Sequence, residues 1–133
     1  MRYAMFFAIT GILLSGCAAV PDAKTEQLKQ EYMSTIPVCI SDKDCELKWS
    51  AARRWVLSNA GYKIQSITSD YIETFNPPEA SSLLGARIIK EPKGDGTYRI
   101  TAELWCSNWI GCHPPVWEAA VDFNRTVNAA RLN

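Results

Sequence analysis

Two runs of alternating apolar and polar residues, joined by a glycine-rich turn, constrain the fold more than any other feature of the chain. The runs ARIIKEP and YRITAELW flank Lys93-Gly94-Asp95-Gly96, which has the composition of a tight hairpin turn. In the second run the two kinds of residue alternate strictly, with Tyr98, Ile100, Ala102 and Leu104 on one side and Arg99, Thr101 and Glu103 on the other. This period of two predicts antiparallel strands with one buried face and one solvated face.

The segment before this hairpin predicts a second one. The sequence YKIQSITSDYIETFNPP contains two short β-rich runs, which Ser69-Asp70 separates and Pro77-Pro78 ends. The chain therefore supplies four antiparallel strands in two consecutive hairpins.

Helical patterns flank the four strands. Ser41 is a predicted N-cap, because acidic residues follow it where the positive end of a helix dipole lies. The apolar residues after it recur every three or four positions, at Cys45, Trp49, Ala52, Val56 and Ala60, and Gly61 is the expected C-cap. A second helix is expected to open at Pro114-Pro115, with an apolar stripe at Val116, Ala120, Phe123, Val127 and Ala130.

The resulting order of elements, α-β-β-β-β-α, predicts an α+β fold. Two helices are expected to pack on one face of a four-stranded antiparallel sheet, which gives a two-layer sandwich. With 133 residues the chain has room for one domain and a tether, and we place this domain at residues 38–133.

The first sixteen residues have the pattern of an export signal. Arg2 gives a positive start, and an apolar run of about a dozen residues follows, which is the length of a secretory signal core. The run ends at Leu14-Ser15-Gly16-Cys17, which resembles the lipobox of bacterial lipoproteins. The resemblance implies removal of residues 1–16 and acylation of the Cys17 thiol. An ordinary secretory cleavage with an incidental Cys17 is the alternative.

The residues after Cys17 bear on where such a protein is held. Ala18 and Ala19 resemble the pattern of lipoproteins retained at the outer membrane. For a Gram-negative host, which this interpretation assumes, the resemblance implies a domain that faces the periplasm. Residues 17–37 are mostly small and polar, and we predict a flexible tether in which residues 25–33 form at most a marginal helix. Fully extended, such a tether reaches about 70 Å.

Four cysteines remain once Cys17 is assigned to lipid, in two equally spaced pairs, CISDKDC and CSNWIGC. In the predicted layout Cys39 and Cys45 lie at one end of the sheet, and Cys106 and Cys112 lie at the other. A strand of seven residues separates these ends by about 23 Å, whereas a disulfide needs Cα atoms within ~7 Å. We therefore predict the bridges Cys39–Cys45 and Cys106–Cys112.

A zinc site made from all four thiolates is the alternative use of these cysteines. Each pair encloses five residues, whereas structural zinc pairs usually enclose two to four, and an exported protein favours disulfides. The sequence also contains no CxxC redox motif. We predict neither a metal nor a cofactor.

The ring closed by the second bridge places Trp109 and Ile110 at its tip. An apolar tip on a constrained loop is typical of a contact with a partner or a membrane, because aromatic residues are enriched at interface centres. The alternative is that Trp109 folds back onto the end of the sheet and joins Trp105 and Trp117 in the core. The sequence leaves both roles open, and the core role is the simpler one.

No catalytic grouping is recognisable in the sequence. His113, the single histidine, lies beside Pro114-Pro115 and is interpreted as a helix-start residue rather than a ligand or base. No serine stands in a GxSxG context. The glutamates show no pair by spacing alone, although two carboxylates that converge in a cleft would make a hydrolase. Basic and acidic residues number 14 each, which argues against nucleic-acid binding.

These features predict a non-enzymatic, lipid-anchored protein of the cell envelope, whose periplasmic domain contacts another envelope component. The alternative is a module that binds a small ligand or a peptidoglycan fragment in the crevice between helix and sheet. A filled core with an exposed aromatic patch would favour the first function, and a deep apolar pocket would favour the second.

Overall fold

The computed structural model describes residues 22–131, which form three helices and five strands. In chain order these are α1 (Ala23–Ser34), β1 (Val38–Cys39), α2 (Asp42–Asn59), β2 (Ile64–Ile67), β3 (Tyr71–Thr74), β4 (Gly85–Pro92), β5 (Tyr98–Trp105) and α3 (Val116–Ala129). The predicted leader, the predicted lipidation site Cys17 and the first residues of the predicted tether lie outside the described residues.

The five strands form one antiparallel sheet in the order β1-β5-β4-β3-β2. The α+β class and the two predicted hairpins, β2–β3 and β4–β5, are confirmed. The predicted count of four strands and two helices is wrong, because β1 adds a fifth strand beside β5 and α1 adds a third helix. Neither could be recognised locally, since β1 has two residues and α1 is a mostly polar sequence.

The helix α1 replaces most of the predicted flexible tether. Asp22 caps its first turn by accepting a hydrogen bond from the Thr25 amide at 2.8 Å. The helix then packs along α3 in the same direction, as three contacts in order along both helices show: Lys24 with Glu118, Glu31 with Arg125, and Thr35 with Asn128. The prediction of a stalk through residue 37 is therefore wrong for residues 23–37, since tertiary packing supplies the stability that so short a helix lacks alone.

The side chain of Tyr32 ties α1 to the sheet. Because β1 pairs with two residues at the start of β5, the outer edge of β5 is unpaired further along. The Tyr32 hydroxyl lies at this edge, where it accepts a hydrogen bond from the Ala102 amide at 3.2 Å and donates one to the Ala102 carbonyl at 2.9 Å. A phenol therefore satisfies the two backbone groups that a longer β1 would otherwise pair.

The helices α2 and α3 cover the inner face of the sheet and enclose the core. Ser41 is the N-cap of α2, as predicted, and accepts a hydrogen bond from the Asp44 amide at 3.2 Å. The buried residues of both predicted stripes meet apolar residues of β3, β4 and β5 in one cluster that includes Ala52, Val56, Phe123, Val127, Ile72, Ile88 and Ile100.

Gly61 has a different role from the predicted C-cap. The helix α2 ends at Asn59, with Ala60 as an extended cap residue, so Gly61 lies in the connection that follows. A Cβ atom at Gly61 would lie 2.5 Å from the Cβ of Leu83. Glycine is therefore needed here for close approach to the β3–β4 loop rather than for a left-handed helix end.

The sheet has two ends that differ in their connections. At the turn end lie the β2–β3 and β4–β5 hairpin turns, and at the loop end lie the β3–β4 loop (residues 75–84) and the β5–α3 loop (residues 106–115). None of the helices within residues 22–131 is both long and apolar enough to cross a bilayer.

Candidate functional site

The four described cysteines form the two predicted disulfides. The Cα atoms are 4.9 Å apart in Cys39–Cys45 and 5.6 Å apart in Cys106–Cys112. The bridges lie at opposite ends of β5, since Cys39 pairs with Tyr98 at its start and Cys106 follows its last residue. The strand length that separates the two pairs is thus the reason for local pairing, and the sulfur atoms are not free to form the alternative zinc site.

The Cys106–Cys112 loop is held against the β3–β4 loop by backbone hydrogen bonds. The Ser107 amide donates to the Ser81 carbonyl at 3.1 Å, and the Ala80 amide donates to the Ser107 carbonyl at 3.0 Å. After the second cysteine, the His113 amide donates to the Ser82 carbonyl at 2.8 Å. Because both sides of the loop are fixed, its tip is presented by a rigid base.

Trp109 and Ile110 project from this tip into solvent. Trp109 is 92% exposed and Ile110 is 78% exposed. The Asn108 side chain accepts a hydrogen bond from the Ile110 amide at 2.9 Å, and Gly111 completes the turn with a φ of +145° that favours glycine. An exposed side chain of this size in an ordered turn is available for contact with another surface.

The interpretation of Trp109 as a core residue is wrong, because its side chain is 92% exposed and neither Trp105 nor Trp117 packs against it to form a cluster. Trp105 lies over Gly85, where a Cβ atom would come within 2.9 Å of its ring. Trp117 packs edge-to-face against Tyr32 with ring centroids 5.8 Å apart. The aromatic cluster that would have received Trp109 at the end of the sheet is therefore not formed.

The β3–β4 loop adds two large apolar side chains at the loop end. Phe75 is 51% exposed and Leu83 is 49% exposed. Within residues 75–84 and 106–113, Glu79 is the one side chain with a full charge at neutral pH. The two loops themselves are therefore apolar and carry one full charge, while the first turns of α1 and α3 place the ion pair of Lys24 and Glu118 at the same end of the domain.

The outer face of the sheet carries an ion-pair ladder. Arg87 contacts Glu73 on β3 at 2.7 Å and Glu103 on β5 at 3.1 Å, so strand register brings together two carboxylates that spacing alone did not pair. The Tyr71 hydroxyl donates to Glu73 at 2.6 Å. These hydrogen bonds from Tyr71, and then from Arg87, lower the pKa of Glu73.

The same contacts raise the pKa of Tyr71, chiefly through its hydrogen bond to Glu73, and raise that of Arg87. A carboxylate held ionised on an open face is poorly suited to act as a general acid. The chemistry of this cluster is therefore cross-strand stabilisation of the sheet, in which each exposed pair contributes little.

A groove between α2 and the inner face of the sheet lies at the turn end. Its volume is about 580 Å³, and Lys90 lies within it between two aromatic rings, 5.4 Å from the centroid of Trp49 and 5.7 Å from that of Tyr98. Acidic side chains line the rim, including Glu46 and Asp70. This groove corresponds to the crevice of the alternative function, and its mixed polar lining differs from a deep apolar pocket.

Sequence reasoning found the loop tip and expected a crevice between helix and sheet, but it did not identify the residues that line this groove. Trp49 was recognised as part of a helix stripe, but Lys90 lies on β4 and Tyr98 on β5, and both meet Trp49 through tertiary packing alone. His113 is exposed and lies just before α3, in keeping with its predicted place at the helix start. Within residues 22–131 no three His, Cys, Asp or Glu side chains are grouped to hold a metal ion.

Comparison with known proteins yields no match: no family model, no curated protein and no solved structure is significantly similar to the chain.

Proposed function

We propose that this chain is a non-enzymatic, lipid-anchored protein of the outer membrane, whose periplasmic domain contacts another envelope component through the Cys106–Cys112 loop. The lipobox-like segment that ends at Cys17 supports the anchor. The observation that carries the contact is the 92% exposure of Trp109 on a loop fixed by a disulfide.

The loop has the physical properties of a contact site. Burying a large aromatic side chain gives a substantial gain in free energy, and Trp109 and Ile110 are adjacent exposed apolar residues of the kind that mark contact surfaces when they form a patch. The disulfide and the hydrogen bonds to the β3–β4 loop order the tip before contact, so little conformational entropy is lost when it docks.

The test is photocrosslinking in intact cells. The photoreactive amino acid p-benzoylphenylalanine is introduced at position 109, and the anchored protein is recovered after irradiation and analysed for adducts. We expect a reproducible adduct with an envelope protein or with lipid, because the side chain at this position would lie in the interface.

A matched control is the same amino acid at Ile40, which is 73% exposed beside the Cys39–Cys45 bridge, at the opposite end of β5 from the Cys106–Cys112 loop. An adduct at position 109 that is absent at position 40 supports the proposed function. Equal labelling at both positions, or none at either, contradicts it. Repeating the experiment with Cys17→Ala shows whether the contact requires the anchor.

The groove at the turn end supports a second candidate function, the binding of a peptidoglycan fragment. Trp49 offers a ring on which a sugar can stack, and Lys90 offers a cation for the carboxylate of a muramyl peptide. Titration with a purified muropeptide should shift the amide resonances of residues that line the groove. The Lys90→Gln variant should lose this response, whereas Lys63→Gln, an exposed lysine outside the groove, should keep it.

A response that is equal in Lys90→Gln and in the unmodified protein, or absent in both at millimolar muropeptide, would contradict this second function.

A further inference from the structure

The first helix brings the N-terminal segment of the chain to the loop end of the domain. Because α1 runs parallel to α3, Lys24 in the first turn of α1 pairs with Glu118 in the first turn of α3. The helix α3 begins four residues after Cys112. Asp22, the N-cap of α1, therefore lies at the same end of the domain as Trp109.

Little chain remains between this point and the proposed anchor. Five peptide steps separate Cys17 from Asp22, and a fully extended chain of that length spans about 18 Å. This reach is far shorter than that of a tether through residue 37, because α1 incorporates twelve of its residues into the domain. With Cys17 acylated, which is part of the function proposed above, the loop end is the part of the domain held nearest to the bilayer.

The chemistry of the loop end matches the boundary between lipid headgroups and acyl chains. Tryptophan is enriched at that boundary, where its ring has both apolar and hydrogen-bonding contacts. Ile110 adjoins Trp109, and Phe75 and Leu83 add apolar surface on the neighbouring loop. Glu79 is the one full charge in the two loops, so contact made by the loop tip alone removes few ionic groups from water, and the ion pair of Lys24 and Glu118 at the helix starts can stay solvated.

The opposite end of the domain has a different character. Charged residues such as Asp42, Asp70 and Lys90 line the groove at the turn end. An orientation with the loop end on lipid leaves this polar groove open to the periplasm. A tether of about 18 Å also keeps the tip at a high local concentration near the bilayer, so that weak insertion is sufficient.

We propose that Trp109 and Ile110 insert into the headgroup region of the bilayer that holds the lipid anchor, so that the domain contacts its membrane at two points. The envelope component contacted by the loop is then the lipid surface itself. The inference rests on the proposed anchored function and specifies its partner.

The test uses the mature, lipidated protein reconstituted into vesicles of phosphatidylethanolamine and phosphatidylglycerol whose acyl chains carry bromine. Bromine quenches tryptophan emission at short range. We expect part of the emission to be quenched, and we expect Trp109→Phe to lose most of the quenched part. The control Trp49→Phe removes a half-buried tryptophan at the turn end and should keep the quenched part.

Quenching that is the same in Trp109→Phe as in the unmodified protein would overturn the inference. Trp109 is almost fully exposed, so this variant should fold, and its melting temperature should match that of the unmodified protein. A protein adduct at position 109 in cells, combined with unquenched emission in vesicles, would overturn the lipid contact while supporting the proposed function. A free Cys17 thiol in the native protein would overturn both.

Discussion

The hydroxyl group of Tyr32 provides the most direct test of how α1 belongs to the domain. This group accepts a hydrogen bond from the Ala102 amide and donates one to the Ala102 carbonyl, both at a buried part of the edge of β5. The substitution Tyr32→Phe keeps the ring and its edge-to-face contact with Trp117 but removes both hydrogen bonds. Two buried backbone groups are then left without a partner.

The expected loss follows from the cost of unpaired polar groups. Leaving one buried donor or acceptor unsatisfied costs about 1–3 kcal/mol. Because the amide and the carbonyl of Ala102 share a single hydroxyl partner, we expect less than twice that cost, and Tyr32→Phe should lower the free energy of unfolding by roughly 2–3 kcal/mol. For a domain of this size, a loss of that magnitude lowers the melting temperature by roughly 8–12 °C. Urea unfolding and calorimetry of a soluble chain that starts at residue 18 measure both quantities.

Tyr71→Phe is the matched control, because it also removes a tyrosine hydroxyl, one that donates a hydrogen bond to Glu73 on the open face of the sheet. Its unfolding free energy should change by less than about 0.5 kcal/mol. Burial raises the pKa of Tyr32, so its contribution is present below the ordinary tyrosine pKa and is lost as the pH rises through the raised value. Equal stability of Tyr32→Phe and the unmodified protein would refute the edge-capping role.

Three other predictions concern the loop, the ladder and the tip. Replacing Cys106 and Cys112 together by serine should cost about 2 kcal/mol through the chain entropy of a short loop, and hydrogen exchange within the loop should become faster while that of α2 is unchanged. The Tyr71 hydrogen bond lowers the pKa of Glu73, so its stabilising contribution is present above the ordinary glutamate pKa and is lost as the pH falls through the lowered value. When the free energy of unfolding is measured against pH in the acid range, Glu73→Gln should remove this part of the pH dependence. An unchanged pH profile in the variant would contradict the prediction. Trp109→Ala should change the free energy of unfolding by less than about 0.5 kcal/mol, because so exposed a ring adds little to the core. A large fall in this free energy would restore the interpretation of Trp109 as a core residue.

The parts of the fold that follow from local patterns were predictable. Strand β5 was recognised because seven consecutive residues alternate between the two faces of the sheet, and the turn after β4 has the glycines that its positive φ angles require at Gly94 and Gly96. The helix α2 was recognised because Ser41 and an apolar stripe both mark its start. Such signals lie within a few residues of one another, so they can be read without tertiary information.

The parts that depend on distant contacts were not predictable. Tyr32 is the one buried residue of α1, and its hydrogen-bond partner is 70 residues away on β5. Strand β1 is too short to show alternation and exists because it pairs with the start of β5. A polar helix and a two-residue strand are therefore indistinguishable from a tether until the positions of α3 and β5 are known.

The candidate site divides in the same way. The disulfide pairing followed from the sequence, because one strand length keeps Cys39 and Cys106 too far apart to bond. The exposure of Trp109 did not follow, since it depends on whether Trp105 and Trp117 form a cluster at the loop end or pack against other residues. The sequence gives the spacing of these three tryptophans along the chain, but it does not show which surface each ring covers.

Mass spectrometry of the protein extracted from native membranes tests the central claim most directly, since the proposed function and the orientation on lipid both require an acylated Cys17. The account predicts a mature chain that begins at Cys17 and carries the added mass of two or three acyl chains on its N-terminal peptide. A free thiol at Cys17, or a chain that retains residues 1–16, would contradict it.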